Sequence, residues 1–114
     1  MADVSMLQVL SGYLKVASDR QQVIAANMAN VDTPGYHTRD INFHQAMQEV
    51  MNPDGEPQLE STSLEIQGLP ERADGNNVNI DRESMLLSET QLQYQMGVEL
   101  IKERFHTLLT AMKD

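Results

Sequence analysis

Few side chains in this sequence have the types and spacing that chemistry needs, and the histidines come first. His37, His44 and His106 are the three present, and no HExxH or similar metal signature contains any of them. His37 and His44 lie seven apart and would share a face only in a helix, which Pro34 and Gly35 just upstream oppose. All three read as surface histidines. The run DGNNVNIDRE, Asp74 to Glu83, is rich in the acid and amide oxygens that calcium favours. It lacks both the glycine at the sixth loop position and the bidentate glutamate at the twelfth. Asn and Asp also favour turns and caps, so a loop running into a capped helix explains the run. Cysteine is absent, which excludes disulfides, thiolate catalysis and Cys-type zinc sites. No GxSxG, phosphate-binding loop or dinucleotide fingerprint occurs. No catalytic residue, metal ligand or cofactor is therefore assigned, and the chain reads as a non-enzyme.

Composition narrows the remaining classes. The formal charge of −9 opposes binding to nucleic acid or to an anionic membrane surface, which needs clustered Lys and Arg. No stretch approaches the ~20 apolar residues that span a bilayer. The N-terminus lacks the basic start and unbroken apolar core of a cleavable signal. The expectation is a protein that stays in the cytoplasm or leaves without signal cleavage. At 114 residues there is room for one small domain with a modest core, and eight Met suit adaptable helix contacts.

Two long helical patterns occupy the ends. Ser5 with Gln8 forms a capping box, flanked by Val4 and Val9 at the staple positions. Leu7, Leu10, Leu14, Ala17, Gln21, Ile24, Met28 and Val31 then alternate steps of three and four. The pattern predicts a helix over about 5–31, roughly 35–40 Å long. Gly12 weakens it by about 1 kcal/mol unless something packs closely there. A second helix is predicted over about 82–112, with Asp81 as N-cap and Ile80 and Met85 as a staple. Its seam is Leu87, Gln91, Tyr94, Val98, Ile101, Phe105, Leu108 and Met112, widened by Leu92, Met96, Leu100 and Leu109. Gln21 and Gln91 interrupt the two stripes, either as buried register-setting residues or as a wet stripe edge.

The sequence thus divides into an N-terminal helix (1–31), a turn with an extended piece and short amphipathic helix (32–50), an acidic loop region (51–80) and a C-terminal helix (81–114). Phe43, Ala46, Met47 and Val50 keep helical spacing in the second part. Three prolines and three glycines, with Arg72 the only base between Met51 and Asn77, predict a flexible third part. The fold class expected is all-α, with the terminal helices as an antiparallel coiled-coil pair around an irregular middle. One such seam is too little to offset the entropy of ordering both helices. The apolar faces therefore point toward other helices, the plain alternative being a self-contained hairpin.

At the first helix's end stands AANMANVDTPGY. Asn27 and Asn30 are one turn apart, placed to bond exposed carbonyls or a neighbouring subunit. Pro34 forbids continuation, Thr33 is pushed to extended geometry, and Gly35 supplies the dihedral that a Pro-Gly turn needs. Tyr36 can then fold back on the helix, with Arg39 and Asp40 beyond it. An ordinary helix stop accounts for Pro34 and Gly35 but says little about Asn27, Asn30 and Tyr36.

This stretch resembles the N-terminal signature of bacterial flagellar axial proteins, the rod and hook family, in which a helix ends in ANxANxxTPGY. The continuation HTRDINF, with DGNNVNIDRE leading into a terminal helix that contains QYQM, looks like the proximal members of the basal-body rod family. The likeness covers both ends of the chain and weakens between Met51 and Arg72. It implies a structural subunit of the proximal rod, part of the motor's drive shaft for motility. Such proteins are exported unfolded through the flagellar type III apparatus, without signal cleavage, and assemble in the periplasmic part of the basal body. Their terminal helices pair, then stack with further copies and with other rod and basal-body proteins. The resemblance makes Asn27, Asn30, Thr33, Pro34, Gly35 and Tyr36 the assembly motif. Export substrates of this family also carry an early Phe with an apolar residue four positions on, read by the export gate. Phe43 and Met47 have that spacing, and a buried helix anchor is the competing reading. The alternative function is a cytoplasmic helical-hairpin binding module, such as an export chaperone or adaptor.

Overall fold

Ser5 opens the first helix. In the computed structural model, which describes residues 5–52 and 62–113, its hydroxyl accepts the Gln8 N–H at 3.1 Å. Gln8 Oε1 accepts the Ser5 N–H at 3.1 Å, completing the expected capping box. Helix α1 runs Met6–Ala29. Strand β1 (Arg39–Ile41) and helix α2 (Phe43–Val50) follow. Strand β2 (Ser63–Glu65) pairs antiparallel with β1, Asp40 lying opposite Leu64. Helix α3, Ile80–Lys113, closes the chain. The fold is all-α apart from this two-stranded ladder, as the periodicity predicts. Val4, half of the expected staple, lies outside the described residues, as do Pro53, Asp54, Gly55, Glu56, Pro57 and Glu60 of the expected flexible span. No helix among the described residues is long and apolar enough to cross a membrane.

Both helix limits differ slightly from the periodic reading, for local reasons. α1 ends at Ala29 with Asn30 as its cap: the Asn30 N–H donates to the Ala26 carbonyl at 3.1 Å, and the Asn30 side chain adds a second donor to the same carbonyl at 2.8 Å. The cap of α3 is Asn79 and not Asp81. Asn79 Oδ1 accepts the Arg82 N–H at 3.1 Å, and the Asn79 carbonyl accepts the Glu83 N–H at 3.0 Å. Ile80 and Met85 are exposed and form no staple.

α1 and α3 pack antiparallel, Leu14 meeting Gly97 near one end and Asn27 meeting Glu83 near the other. The contact is centred on Glu83, Thr90 and Gly97, all buried and spaced by sevens. A Cβ on Gly97 would fall 2.7 Å from Leu14 Cδ2 and 3.0 Å from Tyr13 Cδ1. Small residues at the centre let the backbones approach, and the apolar positions of the expected seam are displaced to its flanks. Leu87, Val98 and Ile101 are half-buried there, while Gln91, Tyr94, Phe105, Leu108 and Met112 are exposed. On α1, Ala17 and Ile24 are buried and Leu7, Leu10, Leu14, Gln21 and Met28 half-buried.

α1 also has a second covered face, which the single stripe omits. Val16 packs with Ile41 and Ala46, and Val23, Phe43, Met47 and Val50 close around them. The Phe43 ring meets Tyr13 edge-on, centroids 5.3 Å apart at 72°. Burial raises the Tyr13 phenol above its usual range. Gly12 belongs to this face, and a Cβ there would fall 2.3 Å from Val50 Cγ1 and 2.8 Å from Cγ2. Val is stiff in a helix, so it cannot swing aside. Gly12→Ala is expected to destabilise the fold by about 1–2 kcal/mol although Ala is the better helix former. Urea titration of Gly12→Ala, Val50→Ala and the double variant checks it: the double should be less destabilised than the two singles summed.

Candidate assembly site

The turn after α1 is built by Thr33, Pro34, Gly35 and Tyr36. The Tyr36 N–H returns to the Thr33 carbonyl at 3.2 Å, with Gly35 at φ 75° in the third position. That is a type II turn, and its positive φ is why glycine stands there. Its Gly35 N–H donates to the Asp74 carbonyl at 2.9 Å, so the first turn is seated on a second one. The second is Arg72 to Gly75, closed by the Gly75 N–H on the Arg72 carbonyl at 2.9 Å. Gly75 has φ 84°, and a Cβ on it would lie 3.4 Å from Gly35 Cα. The two glycines bring two distant pieces of backbone together.

Two asparagines lock that contact, and both are fully buried. Asn27 Nδ2 donates to the Arg39 carbonyl at 2.8 Å and to Glu83 Oε2 at 3.2 Å. Its Oδ1 accepts from the Arg39 N–H at 3.1 Å and the Tyr36 hydroxyl at 2.9 Å. All four bonding positions of the amide are filled. Toward Arg39 the side chain imitates a neighbouring strand and covers that edge of β1. Burial is the main influence raising the Tyr36 phenol above its usual range, the Glu83 charge adding to it and Arg39 opposing. Glu83 is itself fully buried, with Arg82 Nη1 at 2.8 Å from its other oxygen.

Asn76 is the counterpart. Its Nδ2 donates to the Asn30 carbonyl at 2.9 Å and the Thr33 carbonyl at 2.8 Å. Its Oδ1 accepts from the Val78 N–H at 2.8 Å and Arg72 Nη2 at 2.7 Å. An amide more than forty positions along the chain thus adds a second donor to each of two carbonyls in the turns that follow α1. Arg72, the lone base of the acidic stretch, also donates to the carbonyls of Val31 and Val78. Asn77 continues the bridge: its N–H donates to the Tyr36 carbonyl at 3.2 Å and its Oδ1 accepts the Thr38 N–H at 2.6 Å. Asp40 is held from α1 by a two-point Arg20 contact, Nε at 2.9 Å and Nη2 at 3.0 Å. That bonding, outweighing desolvation, raises the Arg20 guanidinium above its usual range.

Of the residues singled out by the sequence, Asn27, Asn30, Thr33, Pro34, Gly35 and Tyr36 come together in one node. Thr33 Oγ1 donates to Asn30 Oδ1 at 2.9 Å, tying the turn to the helix end. Half-buried Val31 supplies the carbonyl that Arg72 holds. Phe43 and Met47 lie apart from it, packed on α1 as helix anchors in the folded chain. The sequence reading missed Arg72, Asn76, Asn77, Thr38 and Glu83, which complete the node. The adjacent pair Asn76–Asn77 was the available signal, because one capped helix needs only Asn79.

Arg72→Ala is expected to lower stability by about 1–2 kcal/mol by stripping the guanidinium from the Val31 and Val78 carbonyls and leaving the Asn76 amide oxygen with the Val78 N–H alone. Arg72→Lys should restore little of this, since an ammonium cannot reproduce the fork. Thermal melting followed by circular dichroism compares the three proteins.

Known sequences match this chain over most of its length. The model of the family "Flagella basal body rod protein" matches residues 7–37, which spans α1 and the Pro-Gly turn. The flagellar basal body rod protein FlgB of Aeromonas hydrophila is 35% identical, the match covering 88% of this chain and 86% of that one. FlgB of Escherichia coli K12 is 31% identical over 89% of this chain and 88% of its own. FlgB of Bacillus subtilis is 28% identical over 93% and 92%.

Proposed function

Because the chain belongs to the flagellar basal-body rod protein family, we propose that it builds the proximal part of the rod through its two terminal helices. It is a structural subunit of the basal-body rod, not an enzyme, and it associates with other basal-body components. The reading as a cytoplasmic chaperone or adaptor has no support among the relatives.

The observation that carries the finer reading is the outer surface of α3. Met6 lies across a groove from Arg104 and Thr107, so the turns from Leu108 to Lys113 run past the first described turn of α1. Phe105, Leu108, Leu109 and Met112 are exposed along this end, and Leu92, Met96 and Leu100 along the flank. An apolar surface of this kind on a small chain calls for further helices. We assign it to stacking against further copies and against other rod proteins in the periplasmic part of the basal body. In this reading the assembly motif holds the chain's exit from α1 at a fixed angle, so that each copy presents its helix pair alike. Export precedes folding, through the type III apparatus and without signal cleavage. Phe43 and Met47 then serve twice, as a gate-recognition pair in the unfolded chain and as a core anchor afterwards.

Fractionation tests this reading. The protein should co-purify with detergent-washed basal bodies and keep its N-terminal residues. Recovery only from the soluble cytoplasmic fraction would overturn it. Cysteines placed at Met112 and at exposed α1 positions should form intermolecular disulfides only in assembled rods.

A further inference from the structure

His37 sits between two carboxylates contributed by different pieces of the fold. Its Nδ1 lies 2.7 Å from Glu65 Oε1 on β2, and its Nε2 lies 3.0 Å from Glu71 Oε1 on the segment leading to the asparagine node. A neutral imidazole has one N–H and one lone pair, so it can donate to only one of these oxygens. The other contact would then set lone pair against lone pair. Both contacts are favourable together only when the ring carries two protons.

The neighbouring bases are otherwise occupied. Arg39, two residues on, donates to Ser63 Oγ at 3.1 Å and to the Ser63 carbonyl. Arg72, next to Glu71, is turned onto the carbonyls of Val31 and Val78. Asp74 accepts the Asn76 N–H at 3.0 Å within its own turn. Glu65, Glu71 and His37 thus form a three-membered bridge across residues 66–70. That segment is also held by the Ile66 N–H on the Thr38 carbonyl at 3.0 Å. Leu69 and Pro70 within it form one wall of a groove of about 350 Å³, whose other residues include Val31, Val78 and Ile80.

We propose that doubly protonated His37 is a proton-operated clasp, holding the Ile66–Glu71 segment against the end of the helix pair. Histidine is the side chain that changes charge near neutrality. Loss of its second proton releases one carboxylate and loosens the wall of the groove. The clasp is therefore closed in mild acid and slack above neutrality.

Amide hydrogen exchange on the full chain, corrected for intrinsic rates, tests this at about pH 5.5 and about pH 8. Protection of the Ile66 amide, measured relative to Ile24 in α1, should fall about twofold to fivefold at the higher pH, the size of one exposed ion pair. His37→Gln and Glu65→Gln/Glu71→Gln should show no such change. His37→Arg, a permanent cation, should keep the mild-acid protection at both values. The Ile24 amide reports whether each variant remains folded, and the single Glu71→Gln substitution serves should the double variant unfold. Equal protection of wild type at both pH values would overturn the clasp, as would the same change persisting in His37→Gln.

Discussion

Replacing Asn27 by alanine is expected to remove about 3–5 kcal/mol of stability, a large share of the ~5–15 kcal/mol that a domain of this kind has. The change deletes four hydrogen bonds at once. It strips the Arg39 N–H and carbonyl of their partners and leaves buried Glu83 with Arg82 alone. Each orphaned buried group costs about 1–3 kcal/mol, and the effects overlap because the groups are adjacent. Asn27→Asp has nearly the same shape but no N–H donors, and it brings a second carboxylate against Glu83. It should be no better than alanine. Tyr36→Phe removes a single bond and should cost about 1 kcal/mol. Urea denaturation of the three variants measures the ordering. A loss below about 1 kcal/mol for Asn27→Ala would mean that the amide is a bystander.

Phe105→Asp with Leu109→Asp should have the opposite profile. Both positions are exposed, at 52% and 58%, so the isolated chain should lose no more than about 0.5 kcal/mol per site. In an assembled rod each apolar side chain would be buried, a gain of about 1.5–3 kcal/mol that a carboxylate forfeits. Two sites together weaken association by more than a hundredfold, before desolvation of the new charges is counted. The expected result is a normally folded protein that fails to restore swimming in a strain lacking it and is absent from purified basal bodies. Thr110→Asp, on the far flank of the same helix, should restore both. Motility retained by the double variant would sink the assignment of this surface to subunit stacking.

These two variants separate what the sequence discloses from what it conceals. Periodicity suffices for α1 and α3, and Ser5 with Gln8 announces the first cap, because those signals act within a few residues. The Pro34–Gly35 turn is legible for the same reason. The centre of the α1–α3 contact is not, since Glu83, Thr90 and Gly97 look like gaps in an apolar stripe. Gly97 matters because the Leu14 and Tyr13 side chains fill the space a Cβ would take, and Glu83 because it meets Asn27, which appear only when both helices are present. Gly12 is similar, an apparent flaw in α1 that makes room for Val50. Asn76 reads as a local turn residue, yet its donors serve carbonyls more than forty positions away. A second face on α1 escapes notice because Val16 and Val23 mix with polar neighbours along the helix.

The filled amides of Asn27 and Asn76 also set a timetable. Asn27 reaches Glu83 across 56 positions, and Asn76 reaches Asn30 across 46. Contacts between such distant residues form slowly, since the intervening chain must close on itself before they repay the entropy. Neither amide can be satisfied while half of the chain is missing. For a protein that travels unfolded, as proposed above, this delays commitment. The junction sets only after both ends have arrived, so a chain caught halfway has nothing to jam with.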